Sequence, residues 1–65
     1  MSAEPHDELF EQAKVAIKER GRASAVVLQR ALGIGYQRAI RILDQMTNEG
    51  LLGPDTPAGA REIKW

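Results

Sequence analysis

Apolar residues recur along this chain at two different periods, and the switch between them outlines the fold. Leu9, Phe10, Ala13, Ala16 and Ile17 return at helical spacing. Asp7 can cap that helix, which is expected from about Glu8 to Arg20, and Glu8 and Glu11 sit near the positive end of its dipole. Gly21 ends it. Arg22 to Ala25 is short enough to pair as an edge strand. Val26 to Leu32 supplies a second helix, with Val27, Leu28, Ala31 and Leu32 available for burial, and Gly33-Ile34-Gly35 makes the turn. The next stretch, Gly35 to Gly50, is the most strongly patterned. At about 100° per residue, Tyr36, Ala39, Ile40, Leu43, Met46 and Thr47 fall on one side, and Gln37, Arg38, Arg41, Asp44, Gln45 and Asn48 on the other. Gly50 stops this helix, because glycine accepts the left-handed backbone of a C-terminal cap. Leu51-Leu52-Gly53 then reads as a strand and Pro54 to Ala60 as a turn-rich loop. Arg61 to Trp65 alternates, placing Ile63 and Trp65 on one face.

Helix, strand, helix, glycine-containing turn, helix and hairpin is the order of a winged helix-turn-helix. The fold class expected is therefore mainly α with a small β-hairpin, three helices plus a wing, over residues 7–65. Ile63 and Trp65 should pack on the apolar sides of the first and third helices, Trp65 as a lid, with the last strand paired to Leu51-Leu52. Residues 1–6 read as a disordered lead-in that begins at a start methionine.

Composition narrows the chemistry. Sixty-five residues make one small domain, and the absence of cysteine removes disulfides and thiolate metal sites. His6 is the lone histidine, so a zinc site has no ligand set. No apolar run approaches the ~20 residues of a membrane span and no signal-peptide pattern appears, so a cytoplasmic setting without membrane contact is expected. No phosphate-binding glycine loop with lysine, no nucleophile with a base and no metal cluster is present. The chain reads as non-catalytic and cofactor-free.

Net charge is zero, which by itself argues against nucleic acid. Its distribution argues the other way. Residues 1–19 carry a net of −3, residues 20–41 a net of +5 from five arginines and no acid, and residues 42–65 a net of −2. Arginine forks onto phosphate or guanine where lysine cannot. The third helix begins inside this block. On its polar side Gln37, Arg41 and Asp44 lie at i, i+4 and i+7, a ladder about 10 Å long that a helix in the major groove can present to neighbouring base pairs. Arg41 is the base-reading candidate at the centre. Gln37 either reads a base or solvates the first turn. Asp44 either accepts from a cytosine amine or holds the Arg41 guanidinium. Arg38, about 100° away from Gln37, points toward phosphate. Arg22, Ser24 and Arg30 are further backbone candidates, with Arg61 and Lys64 on the wing. Tyr36 is expected to bury its ring in the core with its hydroxyl near the backbone.

The run Ile34-Gly35-Tyr36-Gln37-Arg38-Ala39-Ile40-Arg41, followed by Gln45-Met46 and Glu49-Gly50-Leu51-Leu52-Gly53-Pro54, resembles the C-terminal gamma domain of FtsK/SpoIIIE-family DNA translocases. Asp7-Glu8-Leu9, Arg22-Ala23-Ser24, Gln29-Arg30 and Arg61-Glu62-Ile63 match that family too, so the likeness covers residues 7–65. The resemblance implies a winged helix that reads a short, polar chromosomal sequence in duplex DNA and so orients a hexameric, membrane-anchored motor. In some members the same domain also activates a Xer-type tyrosine recombinase. It further implies base contacts at Gln37, Arg41 and Asp44. Three positions depart from the family pattern. Gln37 stands where asparagine is usual and Asp44 where glutamate is usual, each altering reach by one methylene. Val26 stands where a serine commonly caps the second helix, leaving Ser24 to take the role or the cap to be lost.

Two rival readings accompany DNA orientation of a translocase. One is a winged helix that docks on protein, such as a Xer-type recombinase, through the polar face of its third helix, with DNA irrelevant; the other is a small transcription regulator. The partners expected are double-stranded DNA and, through the resemblance, that recombinase. The domain alone is expected to be a monomer, with several copies able to share one DNA site.

Overall fold

The computed structural model describes residues 6–65. Three helices, α1 (Phe10–Arg20), α2 (Ala25–Leu32) and α3 (Tyr36–Asn48), are joined by strand β1 (Ala23–Ser24) and followed by strand β2 (Ala60–Arg61). The expected class holds: three helices with a small antiparallel sheet, in the arrangement of a winged helix. None of the helices among the described residues is long and apolar enough to cross a membrane.

Each helix boundary has a local cause. Asp7 is not the N-cap of α1: the helix begins at Phe10 rather than Glu8, its N-cap is Leu9 with no side-chain cap bond, and Asp7 instead holds the turn at Glu8 and Leu9 that leads into it. The Asp7 carboxylate accepts the Leu9 N–H at 2.8 Å and the Asp7 carbonyl accepts the Phe10 N–H at 2.9 Å. Ser24 takes the cap of α2: its hydroxyl accepts the Val27 N–H at 3.2 Å, and Val26 is exposed on the first turn. Gly33, at φ +66°, closes α2 and frees the chain to turn into α3. α3 ends in a paired cap. Gly50, at φ +80°, donates to the Thr47 carbonyl, and Leu51 donates to that of Met46.

The wing is shorter than its sequence suggests. β1 pairs antiparallel with β2, Ala23 opposite Arg61 and Ser24 opposite Ala60. Leu51 to Gly53 forms no extended strand, only a single bridge from Leu52 to Ile63, flanked by Gly53 N–H to the Glu62 carbonyl and Lys64 N–H to the Leu51 carbonyl, each at 2.9 Å. These bonds set the last segment against Leu51 and Leu52 as expected, and Ile63 and Trp65 pack on the core. Lys14 and Lys18 of α1 lie 6.0 and 5.8 Å from the Trp65 ring, within cation–π range.

α1 packs on α2 and α2 on α3. Their shared core holds Phe10, Ala13, Ile17, Leu28, Ala39, Ile42, Leu43, Met46 and Leu52. Of the expected lead-in, residues 1–5 lie outside the described residues; His6 stacks on Phe10 at 3.8 Å between ring centroids and meets the Glu49 carboxylate.

If Ser24 is the cap, Ser24→Ala should destabilise the domain by about 0.5–2 kcal/mol. Val26→Ser, on an exposed position, should change stability by less than about 0.5 kcal/mol. Urea unfolding of both variants checks this; a larger loss from Val26→Ser would reverse the assignment.

Candidate nucleic-acid interface

The orientation of α3 determines which side chains it offers. Its buried residues are Ala39, Ile42, Leu43 and Met46. Their centre is turned by about 50° around the helix from the apolar stripe read from the sequence. Two corrections follow. Ile42, absent from that stripe, is fully buried, and Tyr36, expected in the core, is 59% exposed. Direct opposition to the buried residues then falls among Gln37, Arg41, Asp44 and Asn48, all exposed. Among the described residues Gln37 and Arg41 make no side-chain hydrogen bond or ion pair. The ladder is presented outward, and its central guanidinium is uncommitted.

The flanks of α3 are engaged by other parts of the chain. On one side Arg38 is held in a two-pronged ion pair: its Nε donates to Asp7 Oδ2 at 3.0 Å and its Nη2 to Asp7 Oδ1 at 2.9 Å. The Gln45 amide oxygen accepts the Asp7 N–H at 3.3 Å. Arg38 and the Leu9 N–H together hold the Asp7 carboxyl below the usual carboxylate range, and Asp7 in turn raises Arg38. Thus the residue expected on phosphate also clasps the start of the chain to the third helix. The other flank, Tyr36 and Ile40, faces the wing across a cleft of about 350 Å³, lined also by Arg22, Val26, Pro57 and Arg61.

Arg61 sits differently from a wing residue that reaches for phosphate. Its side chain is 4% exposed, and its Nη1 donates to Asp44 Oδ1 at 2.9 Å and to Thr47 Oγ1 at 3.0 Å. Asp55 Oδ1 stands 3.9 Å from its Nε. Asp44 is therefore paired with Arg61, not with Arg41. One signal in the sequence points there. Arg61 shares the i, i+2, i+4 face of Ile63 and Trp65, the face that turns inward in a strand. Ser24 is likewise buried, with its hydroxyl committed to the cap. Arg22, Arg30 and Lys64 are exposed and make no ion pair among the described residues. No group of histidine, cysteine and acidic residues among the described residues is arranged to hold a metal.

A helix-turn-helix whose second helix turns a polar ladder outward, with a small wing beside it, defines the winged-helix class. Within that class, the chain belongs to the FtsK gamma domain family, which matches residues 4–65. It is 45% identical over 60 residues to the DNA translocase FtsK of Mesorhizobium japonicum, covering 92% of this chain and 7% of that protein. It is 47% identical over 57 residues to the DNA translocase FtsK of Campylobacter jejuni, covering 88% of this chain and 6% of the relative. With that of Bradyrhizobium diazoefficiens it shares 43% over 63 residues, 97% of this chain and 8% of the relative. The chain thus spans less than a tenth of the length of these translocases. It corresponds to the gamma domain alone, and the motor of those proteins lies elsewhere in them.

The Asp7–Arg38 clasp carries a pH dependence whose sign is set by the lowered carboxyl. Its contribution is complete above the ordinary aspartate value of about 3.9 and is lost as pH falls through the lower folded value. Unfolding free energies of the wild type and Asp7→Asn should differ by a constant amount from pH 7 to about pH 5 and converge below about pH 4. A gap that does not narrow as pH falls below about 4 would show that Asp7 acts without its charge.

Proposed function

We propose that this domain binds duplex DNA in a sequence-dependent manner and, as part of a translocase, orients that motor on the chromosome. α3 lies in the major groove with Gln37, Arg41 and Asp44 on base edges. Arg22, Arg30, Arg38 and Lys64 meet phosphates. Ser24 contributes by capping α2, and Arg61 by holding Asp44. The observation that carries this reading is the exposed Arg41 at the middle of the outward ladder, without an ion-pair partner among the described residues, in a stretch from Arg20 to Arg41 that holds five arginines and no acid. An arginine so placed can fork onto the O6 and N7 of guanine, worth about 1–3 kcal/mol of discrimination. The working compartment is the cytoplasm, and several copies bind along one DNA site.

A second role, docking on a Xer-type tyrosine recombinase, is favoured by an apolar spot away from α3. Val15 on α1 is exposed beside Trp65, and the two border a groove with Lys14 and Lys18. It leaves α3 free, so the two roles are compatible.

Selection from a randomised duplex pool gives the preferred site, and titrations at several salt concentrations then separate the arginines. Arg41→Ala should cost about 1–3 kcal/mol on the preferred site and much less on scrambled duplex. Arg38→Ala should weaken both by similar factors and make the log–log salt slope shallower by about one unit. Equal losses on both duplexes from Arg41→Ala would make Arg41 a phosphate contact. A wild-type domain that retains no duplex at low salt would leave only the protein-docking role.

A further inference from the structure

Among the described residues the most enclosed charge is the Arg61 guanidinium, and it lies directly beneath Asp44, an exposed acid on the outward face of α3. Arg61 is fixed twice. Its backbone is paired across the sheet with Ala23, and its side chain is buried between the wing and the last turns of α3. A buried guanidinium needs both hydrogen-bond acceptors and opposite charge. Thr47 Oγ1 accepts from Nη1 while donating its own proton to the Gly53 carbonyl at 3.0 Å. Asp44 Oδ1 accepts from the same Nη1 at 2.9 Å, and Asp55 adds a second negative charge at 3.9 Å from Nε. Asp44 itself remains 58% exposed, and its Oδ2 has no hydrogen-bond partner among the described residues.

We infer that Arg61 is a positioning residue for sequence reading, anchoring one oxygen of Asp44 so that the other is aimed outward at a base amine. This rests on the DNA-reading role proposed for α3. Two physical effects follow from the arrangement. A carboxylate pinned through one oxygen loses little rotamer freedom when the second accepts from a cytosine N4 amine, the acceptor role that an acidic side chain plays in the major groove. The guanidinium also offsets the negative charge that Asp44 would otherwise bring toward the phosphates. The wing therefore acts on base choice from behind the helix, without touching DNA through Arg61.

The test measures selectivity one base pair at a time, using duplexes that carry every substitution of the preferred site. Asp44→Asn, at an exposed position, should lower discrimination at one base pair by about five- to 150-fold. Arg61→Lys keeps the charge but replaces the planar Nη1 donor with an ammonium on a shorter stem; it should lower discrimination at that same pair and no other, and have no added effect on discrimination in the Asp44→Asn background. Thr47→Val, which removes one anchor and keeps every charge, should do the same more weakly. Should Arg61→Lys fail to fold by circular dichroism, the selectivity of Thr47→Val decides between the outcomes. Independently of DNA, the Arg61 Nη protons should show restricted rotation by NMR in the wild type and faster rotation in Asp44→Asn. Equal loss at all base pairs, additivity with Asp44→Asn, or free rotation in the wild type overturns the positioning role while the DNA-reading proposal stands. A wild type without any sequence preference overturns that proposal first, and this one with it.

Discussion

α3 can bury only one face, and the choice of face decides what the domain can touch. Ala39, Ile42, Leu43 and Met46 are buried in one core with α2, Leu52 and the inward residues of α1, and full burial of an Ile, Leu or Met side chain is worth roughly 1.5–3 kcal/mol. No rotation of α3 keeps those residues buried and also moves Gln37, Arg41 and Asp44 off the surface. The outward polar face of α3 is thus a by-product of core packing, and a turn of even half a residue spacing would bring Tyr36 inward and swing the ladder aside. Everything attached to α3 supports that setting: a turn at Gly33, a paired cap at Gly50, and charged contacts on the flanks.

Those flank contacts matter because the domain is small. A chain of this length buries only about 60% of its unfolded surface, and its sheet contains two paired residues per strand. Polar clasps therefore stand where a larger domain would have more core. Asp7 reaches from the start of α1 to Arg38, and Arg61 reaches from β2 to Asp44 and Thr47. The first is partly exposed and adds little stability on its own, though it fixes the start of α1 relative to α3. The second is enclosed. Removing Asp44 would leave the buried guanidinium with Thr47 and the more distant Asp55, so the pair specifies geometry more strictly than it stabilises.

Much of this is legible in the residues because it is local. Helical spacing, glycine stops and the alternating tail identify three helices and a wing, and Ser24 stands as the alternative cap to Val26. The ladder at positions 37, 41 and 44 follows from helical geometry alone. What escapes a reading of the residues depends on where α3 meets its neighbours. Tyr36 and Ile42 are both apolar and sit at opposite edges of a broad stripe, so the wheel does not say which edge α1 and α2 cover. Asp7 and Arg38 are 31 positions apart, and Asp44 and Arg61 are 17 apart, distances at which no period or cap links residues. The charge of Arg61 suggests a phosphate contact, although its strand parity groups it with Ile63 and Trp65.

The same pairing resolves how a chain of zero net charge can present a cationic surface. Charge far from the partner matters little beyond a Debye length of about 8–10 Å, so the relevant quantity is the balance near α2 and α3 rather than the total. Two of the acids nearest α3, Asp7 and Asp44, are each matched by an arginine that also serves the architecture. Arg22, Arg30 and Arg41 carry no such partner among the described residues, and the stretch from Arg20 to Arg41 contributes no acid to offset them. Acid placed in this way is not a counterweight to DNA binding. It is matched by the two arginines that tie α3 to the rest of the fold, and leaves Arg22, Arg30 and Arg41 exposed without a partner among the described residues.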